Sequence, residues 1–301
     1  MPPHDDLLEP TLRDKEAHLA QWLREHRSVL VGFSGGVDSA YLACLAVDVL
    51  GSDKVLAVTG KSASYPEAQW QTARDVARRF GVPVLEIDTR ELKDPRYAAN
   101  PANRCYFCKS ELWSRLAPVA SERGLACVID GTNADDLADY RPGARAASEW
   151  NVQSPLAALG FTKNDIRALS RARGIPTWQQ PSAPCLSSRI PYGIAVTPAR
   201  LRRIEAAEAA LRSLGITGDL RVRFHGELAR IELPPNEISR WLEPVAANRL
   251  RDAVASAGFT RIAVDARGFR SGSLNVLAGV RQDDVAGPND SMAGRSEASA
   301  A

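Results

Sequence analysis

The chain has 301 residues, 45% of them apolar, which is enough for one large domain or two modest ones and excludes disorder as a global state. Its 38 basic and 36 acidic side chains leave a net charge of +2, so neither a nucleic-acid footprint nor an acidic solvating chain is expected, and any anion binding must be local. Five cysteines, no signal-peptide pattern and no apolar run near the ~20 residues of a membrane span predict a cytoplasmic protein whose cysteines are core residues, metal ligands or nucleophiles.

In chain order, residues 1–11 are expected to be flexible and a helix is predicted over 12–27. Strands at 29–33, 55–59, 84–88 and 127–131 alternate with amphipathic helices near 39–50, 66–80 and 109–123, the pattern of a parallel α/β sheet wound on both faces by helices. A further helix begins at Thr162, where Thr162-Lys-Asn-Asp165 has the form of a capping box, and ends before Gly174. Residues 176–198 hold five prolines and read as an extended loop carrying Cys185. A smaller α+β domain is predicted over 196–280, after an α/β domain over 12–195. It opens with Thr197-Pro198, a hydroxyl N-cap followed by proline at the first helical position. A helix to 214, strands at 220–225 and up to 233, a helix over 237–257 and a strand at 261–265 complete it. The stripe Leu242, Val245, Leu250 and Val254 reads as core or as an interface. Residues 281–301 read as a solvated, disordered tail.

The strongest local signal is Ser34-Gly-Gly-Val-Asp-Ser39, between an apolar strand and a helix start. Gly35 and Gly36 permit backbone conformations in which successive N–H groups converge on phosphate oxygens. Ser34 and Ser39 add hydroxyl donors, and the helix N-terminus adds positive partial charge. Asp38 is suited to hold Mg²⁺ or to order the turn. There is no GxxxxGK lysine and no GxGxxG, so the loop suits a pyrophosphate split between its α and β phosphates better than γ-phosphate transfer. The hexamer resembles the signature of the PP-loop ATP pyrophosphatases, which implies ATP and Mg²⁺, adenylation of a substrate and release of pyrophosphate. By analogy with open α/β sheets the nucleotide lies across the carboxyl ends of the strands, where Thr59, Lys61, Gly131, Thr132 and Asn133 would line it.

Cys44 and Cys127 sit in apolar segments and read as core thiols. Cys105-Tyr-Phe-Cys108, just before a predicted helix, is a metal-binding, redox or simple pair. With Cys185 it makes three thiolates, which fit a zinc site poorly and a [4Fe–4S] cluster with one open iron well. Asn103-Arg-Cys-Tyr-Phe-Cys-Lys-Ser-Glu-Leu112, Asp130-Gly-Thr-Asn-Ala-Asp-Asp136, Asp139-Tyr-Arg-Pro-Gly143 and Pro184-Cys-Leu-Ser-Ser-Arg-Ile-Pro-Tyr-Gly193 together resemble the LarE family over residues 22–277. That family comprises ATP-dependent sulfur transferases of nickel-pincer nucleotide biosynthesis, which convert pyridinium-3,5-biscarboxylic acid mononucleotide into its bis-thiocarboxylate.

The resemblance implies a small-molecule nucleotide substrate, a homo-oligomer, a sulfide donor and a downstream nickel-inserting protein. It offers two sulfur sources: a sacrificial cysteine matching Cys185, or a cluster held by Cys105, Cys108 and Cys185. The CxxC favours the cluster. On the strand 220–225, Arg221, Arg223 and His225 share one face, and paired guanidiniums suit phosphate or carboxylate. The resemblance adds Glu208 beside them, with Glu205 as the alternative match. A PP-loop tRNA-thiolating enzyme, an amide-forming ligase of the NAD-synthetase kind and a nucleotide-sensing module are the rival readings.

Overall fold

The computed structural model describes residues 10–138 and 142–270. The expectations for residues 1–9, 139–141 and 271–301 lie outside the described residues. Four parallel strands, β1 (Val29–Gly32), β2 (Val55–Lys61), β3 (Val84–Asp88) and β4 (Cys127–Ile129), form a sheet in the order β3-β2-β1-β4. The surrounding helices are α1 (Pro10–His26), α2 (Val37–Leu50), α3 (Glu67–Arg79), α4 (Pro95–Ala98), α5 (Arg104–Glu122), α6 (Pro142–Glu149), α7 (Pro155–Ala158) and α8 (Lys163–Ala172).

The central strand is apolar throughout because both of its faces are covered. Val29 and Val31 join Leu23 of α1, Leu42 and Leu45 of α2, and Val76 of α3 on one side, whereas Leu30 joins Val58, Trp113 and Leu116 on the other. Each such buried side chain contributes roughly 1.5–3 kcal/mol relative to an exposed one. From β1 the chain winds outward to β2 and β3 and then crosses to β4 on the opposite side, so the strand order reverses between β1 and β4. That reversal opens a crevice at the carboxyl ends of these two strands.

A second, mixed sheet follows α9 (Pro198–Ser213): β5 (Arg221–His225) pairs antiparallel with β6 (Leu228–Glu232) across a Gly226 turn at φ +68°. After α10 (Ile238–Leu242) and α11 (Pro244–Ala255), β7 (Arg261–Val264) runs parallel to β6. Its core, including Leu201, Ile204, Val222, Ile231 and Val254, extends to Tyr97, Leu186, Ile190 and Val196 from earlier in the chain. No helix among the described residues is long and apolar enough to cross a membrane.

Two helices depart from expectation. α5 begins at Arg104 rather than near 109, because the Arg104 N–H reaches the Pro101 carbonyl at 3.0 Å and the Tyr106 N–H reaches Asn103 at 2.9 Å. The CxxC is therefore inside the helix. The helix expected over 237–257 is two, because Pro244 lacks an N–H and holds Glu243 extended at ψ 139°. The break splits the apolar stripe: Leu250 and Val254 are core, while Leu242 and Val245 are 54% and 76% exposed.

Candidate active site

Only four residues connect β1 to α2, and the turn they make is held from behind. The Thr59 hydroxyl donates to the Phe33 carbonyl at 2.8 Å, and the Tyr65 hydroxyl and Gln69 Nε2 both donate to the Ser34 carbonyl at 2.9 Å. In a trans peptide the N–H opposes the C=O, so anchoring Ser34 O aims the Gly35 N–H to the other side. Gly35 has φ +65°, and a Cβ there would lie 2.5 Å from the Ala73 Cβ, so α3 packs directly on the turn. The Ser34 and Ser39 hydroxyls are 3.1 Å apart, and Ser34 Oγ also accepts from the Gly36 N–H at 3.4 Å. Two hydroxyls thus converge at the N-terminus of α2, a favourable position for an anion.

The turn after β4 closes on the same place. A Cβ at Gly131 would lie 2.8 Å from the Ser39 nitrogen, so this backbone rests against the start of α2. Asp130 accepts from the Thr132 hydroxyl at 2.9 Å and from the Ser154 hydroxyl at 2.7 Å. Asn133 Oδ1 accepts from the Asp135 and Asp136 N–H groups at 3.0 and 3.2 Å. Thr132 and Asn133 therefore shape their turn from within. Lys163, the first residue of α8, pairs with Asp38 Oδ2, and the Thr162–Asp165 capping box sets that lysine's position. Asp38 Oδ1 is buried and has no hydrogen-bond partner among the described residues, an orphaned acceptor that fits a Mg²⁺ ion beside the turn. Lys61 stands at the end of β2 with its ammonium 3.7 Å above the Trp70 ring.

The thiols lie on α5 and on the loop that the Ser64 carbonyl anchors. Cys105 and Cys108, three residues apart in the first two turns of α5, share a face. Cys108 packs in the cluster that holds Tyr97 and Leu186. Burial pushes its thiol well above the ordinary value, with Glu91, Cys185 and Cys105 adding to the rise and Lys109 opposing it. Cys185 precedes a 3-10 turn (Leu186–Arg189) pinned by Leu186 N–H to the Ser64 carbonyl at 2.8 Å and by Ser187 Oγ to Tyr97 OH at 2.6 Å. Burial lowers the Arg104 guanidinium, but Cys185, Cys105, Tyr192 and Tyr97 together outweigh that, so its net shift is upward. Cys105 and Cys185 thus act on both Arg104 and Cys108, which puts the three thiols in one neighbourhood.

Among the described residues the five cysteines form no disulfide, and no three His, Cys, Asp or Glu side chains converge as ligands of a single metal ion do. Three thiolates are soft donors of the kind that iron–sulfur clusters take.

Arg189 joins this segment to the second sheet. Its guanidinium makes a fork with Glu208 (Nε to Oε1 2.9 Å, Nη2 to Oε2 3.0 Å) and donates to the Pro184 carbonyl at 2.7 Å and the Cys185 carbonyl at 3.2 Å. Glu208 also accepts from the Val222 N–H at 2.9 Å, whereas Glu205 faces α3 and accepts from the Glu67 N–H. Arg221 donates to the Ser182 carbonyl, and Arg223 to Ser188 O at 2.8 Å and to Glu232 at 2.9 Å. Burial, and after it the neighbouring Arg189, pull Arg221 down to about 10, with Glu208 and Asp219 opposing the shift.

The sequence pattern brings the serine-glycine turn, the 130–133 turn and Asp38 together as expected. It mistakes the character of β5: Arg221 and Arg223 are 4% and 6% exposed rather than on a half-buried face, and only His225 at the strand end is exposed. The segment 180–190 covers that face, and only tertiary packing puts it there. Lys163 and Gln69 escape sequence reading, and Arg189, although inside the Pro184–Gly193 motif, is not singled out by it. The one available signal is the capping box, which puts residue 163 at the start of a helix.

A family model described as NAD synthase matches residues 12–114. An uncharacterised protein of Synechocystis sp. is 44% identical over 88% of this chain and 98% of its own length. A pyridinium-3,5-bisthiocarboxylic acid mononucleotide synthase of Lactiplantibacillus plantarum is 38% identical over 88% of this chain and 95% of its own. A glutamine-dependent NAD(+) synthetase of Rhodobacter capsulatus is 36% identical over 34% of this chain and 18% of its own length.

Proposed function

Because the chain belongs to the pyridinium-3,5-bisthiocarboxylic acid mononucleotide synthases, the LarE family of ATP-dependent sulfur transferases, we propose that it activates the carboxylates of pyridinium-3,5-biscarboxylic acid mononucleotide with ATP and converts them to thiocarboxylates. The observation that carries this reading is a short hydrogen-bonded link between the nucleotide turn and the cysteine-bearing loop. Gln69 donates to Ser34 O at 2.9 Å and accepts from Gln180 Nε2 at 2.6 Å, five residues before Cys185. Adenylation and sulfur transfer need their reactants side by side, and this link supports that by tying the two loops to each other.

A carboxylate is a poor acyl donor because its leaving group would be oxide. Attack of its oxygen on the α-phosphorus of ATP forms an acyl-adenylate and expels pyrophosphate, so the later leaving group is AMP. Ser34, Gly35, Gly36 and Ser39 would hold the phosphates, and Asp38 would hold Mg²⁺ through its orphaned oxygen, which offsets charge on the departing pyrophosphate. Arg221 and Arg223, crowded against Arg189, would hold the anionic substrate. Glu208 keeps Arg189 in register and thereby fixes the backbone at Cys185. Cys105, Cys108 and Cys185 would hold a [4Fe–4S] cluster, which when bound supplies sulfide to the activated acyl carbon.

Pyrophosphate release should depend on the pyridinium dicarboxylate nucleotide, with product masses showing oxygen replaced by sulfur. Release that ignores this nucleotide and responds to tRNA or ammonia would defeat the assignment. Anaerobic reconstitution separates the sulfur sources. Iron-free turnover that converts Cys185 to dehydroalanine would make this cysteine the donor.

A further inference from the structure

The small sheet has one apolar face and one charged face. Val222, Phe224, Ala229 and Ile231 point into the core, so the residues between them turn the other way. There Arg223 of β5 stands directly opposite Arg230 of β6, and Arg221 stands opposite Glu232. Like charges in direct opposition destabilise a strand pair, so this face needs anions to offset it. On the β5 side, Glu232 and the carbonyls of Ser182 and Ser188 meet Arg221 and Arg223. On the β7 side the supply falls short. Three guanidiniums gather round Asp265, those of Arg230 at 3.4 Å, Arg267 at 3.6 Å and Arg270 at 3.8 Å. Arg230 also reaches Glu232 at 3.1 Å, but its Nε is buried with no hydrogen-bond partner among the described residues. The Arg267 and Arg270 side chains are 68% and 43% exposed, and neither donates a hydrogen bond to Asp265.

The backbone that presents these cations is fixed. The Asp265 N–H donates to the Ile231 carbonyl at 2.8 Å, the Phe269 N–H to the Leu233 carbonyl at 2.8 Å, and the Arg267 N–H to Asp265 Oδ1 at 2.9 Å. Gly268 has φ +67°, and a Cβ there would lie 2.7 Å from Leu233 O, so the turn rests directly on the end of β6.

We propose that Arg230, Arg267 and Arg270 form the seat of a phosphate monoester, the ribose phosphate of the pyridinium nucleotide, and leave Arg221 and Arg223 for its carboxylates. This deepens the substrate assignment above and rests on it. A phosphate monoester carries a charge of about −1.5 to −2 and three acceptor oxygens, which suits three cations with one carboxylate of their own. Guanidinium forks match its geometry. β5 and β7 lie two strand spacings apart, roughly 10 Å, a span that a ribose can bridge between a pyridinium carboxylate and a phosphate. The carboxylate end then lies against the segment of Cys185, since Arg221 and Arg223 donate to Ser182 and Ser188 on either side of that cysteine.

Calorimetry on the wild type, on Arg230→Met and on the double variant Arg267→Met, Arg270→Met should give Kd for the pyridinium dicarboxylate nucleotide, for the corresponding nucleoside and for Mg·ATP. The wild type should bind nucleotide more tightly than nucleoside. Each variant should bind the nucleotide more weakly by roughly tenfold or more, while Kd for the nucleoside and for Mg·ATP stays at the wild-type value. Unchanged nucleotide affinity, or an equal loss for nucleotide and nucleoside, would overturn the phosphate seat and leave the substrate assignment standing. A loss confined to Mg·ATP would overturn it in favour of the phosphates of ATP. A wild type that binds neither pyridinium compound would overturn both. If Arg230→Met does not fold, the exposed pair at 267 and 270 decides by the same three affinities.

Discussion

A methyl group at position 35 would sit 2.5 Å from the Ala73 Cβ and 2.6 Å from its Cα, on a backbone at φ +65°. Gly35→Ala must therefore displace either the nucleotide turn or α3, at a cost of about 1–3 kcal/mol. Thermal melts should show that loss, together with a smaller upward shift on adding Mg·ATP than the wild type has. An ATP-induced shift equal to that of the wild type would mean the turn does not bind nucleotide. A second residue-level expectation concerns the core thiols. Burial pushes Cys44 from the ordinary 9.0 up to about 12 and Cys127 up to about 11. Their folded values are raised, so the neutral thiols stabilise the fold fully below about pH 9.0 and lose that contribution as pH climbs toward about 11 and about 12. Melting temperature should fall over this alkaline window with a shallower slope in the double variant Cys44→Ala, Cys127→Ala. Parallel slopes would refute it. Gly35, Asp38 and the core thiols were legible because each is defined by its immediate neighbours. Lys163 and Asp38 lie 125 residues apart, so no local pattern could pair them.

At the level of elements, the capping box of α8 does more than end a loop. Thr162 Oγ1 accepts from the Asp165 N–H at 3.2 Å, and Asp165 accepts in return from the Thr162 N–H at 3.0 Å. Lys163 is thereby held at the first helical position, facing Asp38. Thr162→Ala should destabilise the protein by about 0.5–2 kcal/mol in urea and also lower kcat for pyrophosphate release, because the lysine loses its register. A stability loss with unchanged kcat would show Lys163 to be idle. This cap was visible in four consecutive letters. The early start of α5 was not, because its first turn is fixed by the Pro101 and Asn103 carbonyls rather than by a side-chain cap, and the break at Pro244 was hidden inside an otherwise helical stretch.

Across the whole molecule, the Arg189–Glu208 fork joins the Cys185 segment to α9, and through the Val222 N–H to β5. The Arg189 side chain is 4% exposed, so Glu208→Ala would strand a buried guanidinium, which costs about 3–5 kcal/mol. Urea unfolding should record that loss, and affinity for the pyridinium nucleotide should fall with it. Stability within about 1 kcal/mol of wild type would show that the fork is not structural.

The sequence alone determined the parallel α/β core, the serine-glycine turn at a helix start and the candidate thiols at 105, 108 and 185. Apolar runs, glycines beside a helix start and cysteine spacing act over a few residues. Tertiary structure alone decided that Arg221 and Arg223 are buried and that Glu208 rather than Glu205 meets Arg189. Each of these depends on which distant segment covers a face, and that is settled by how the whole chain buries its apolar surface while still pairing its charges.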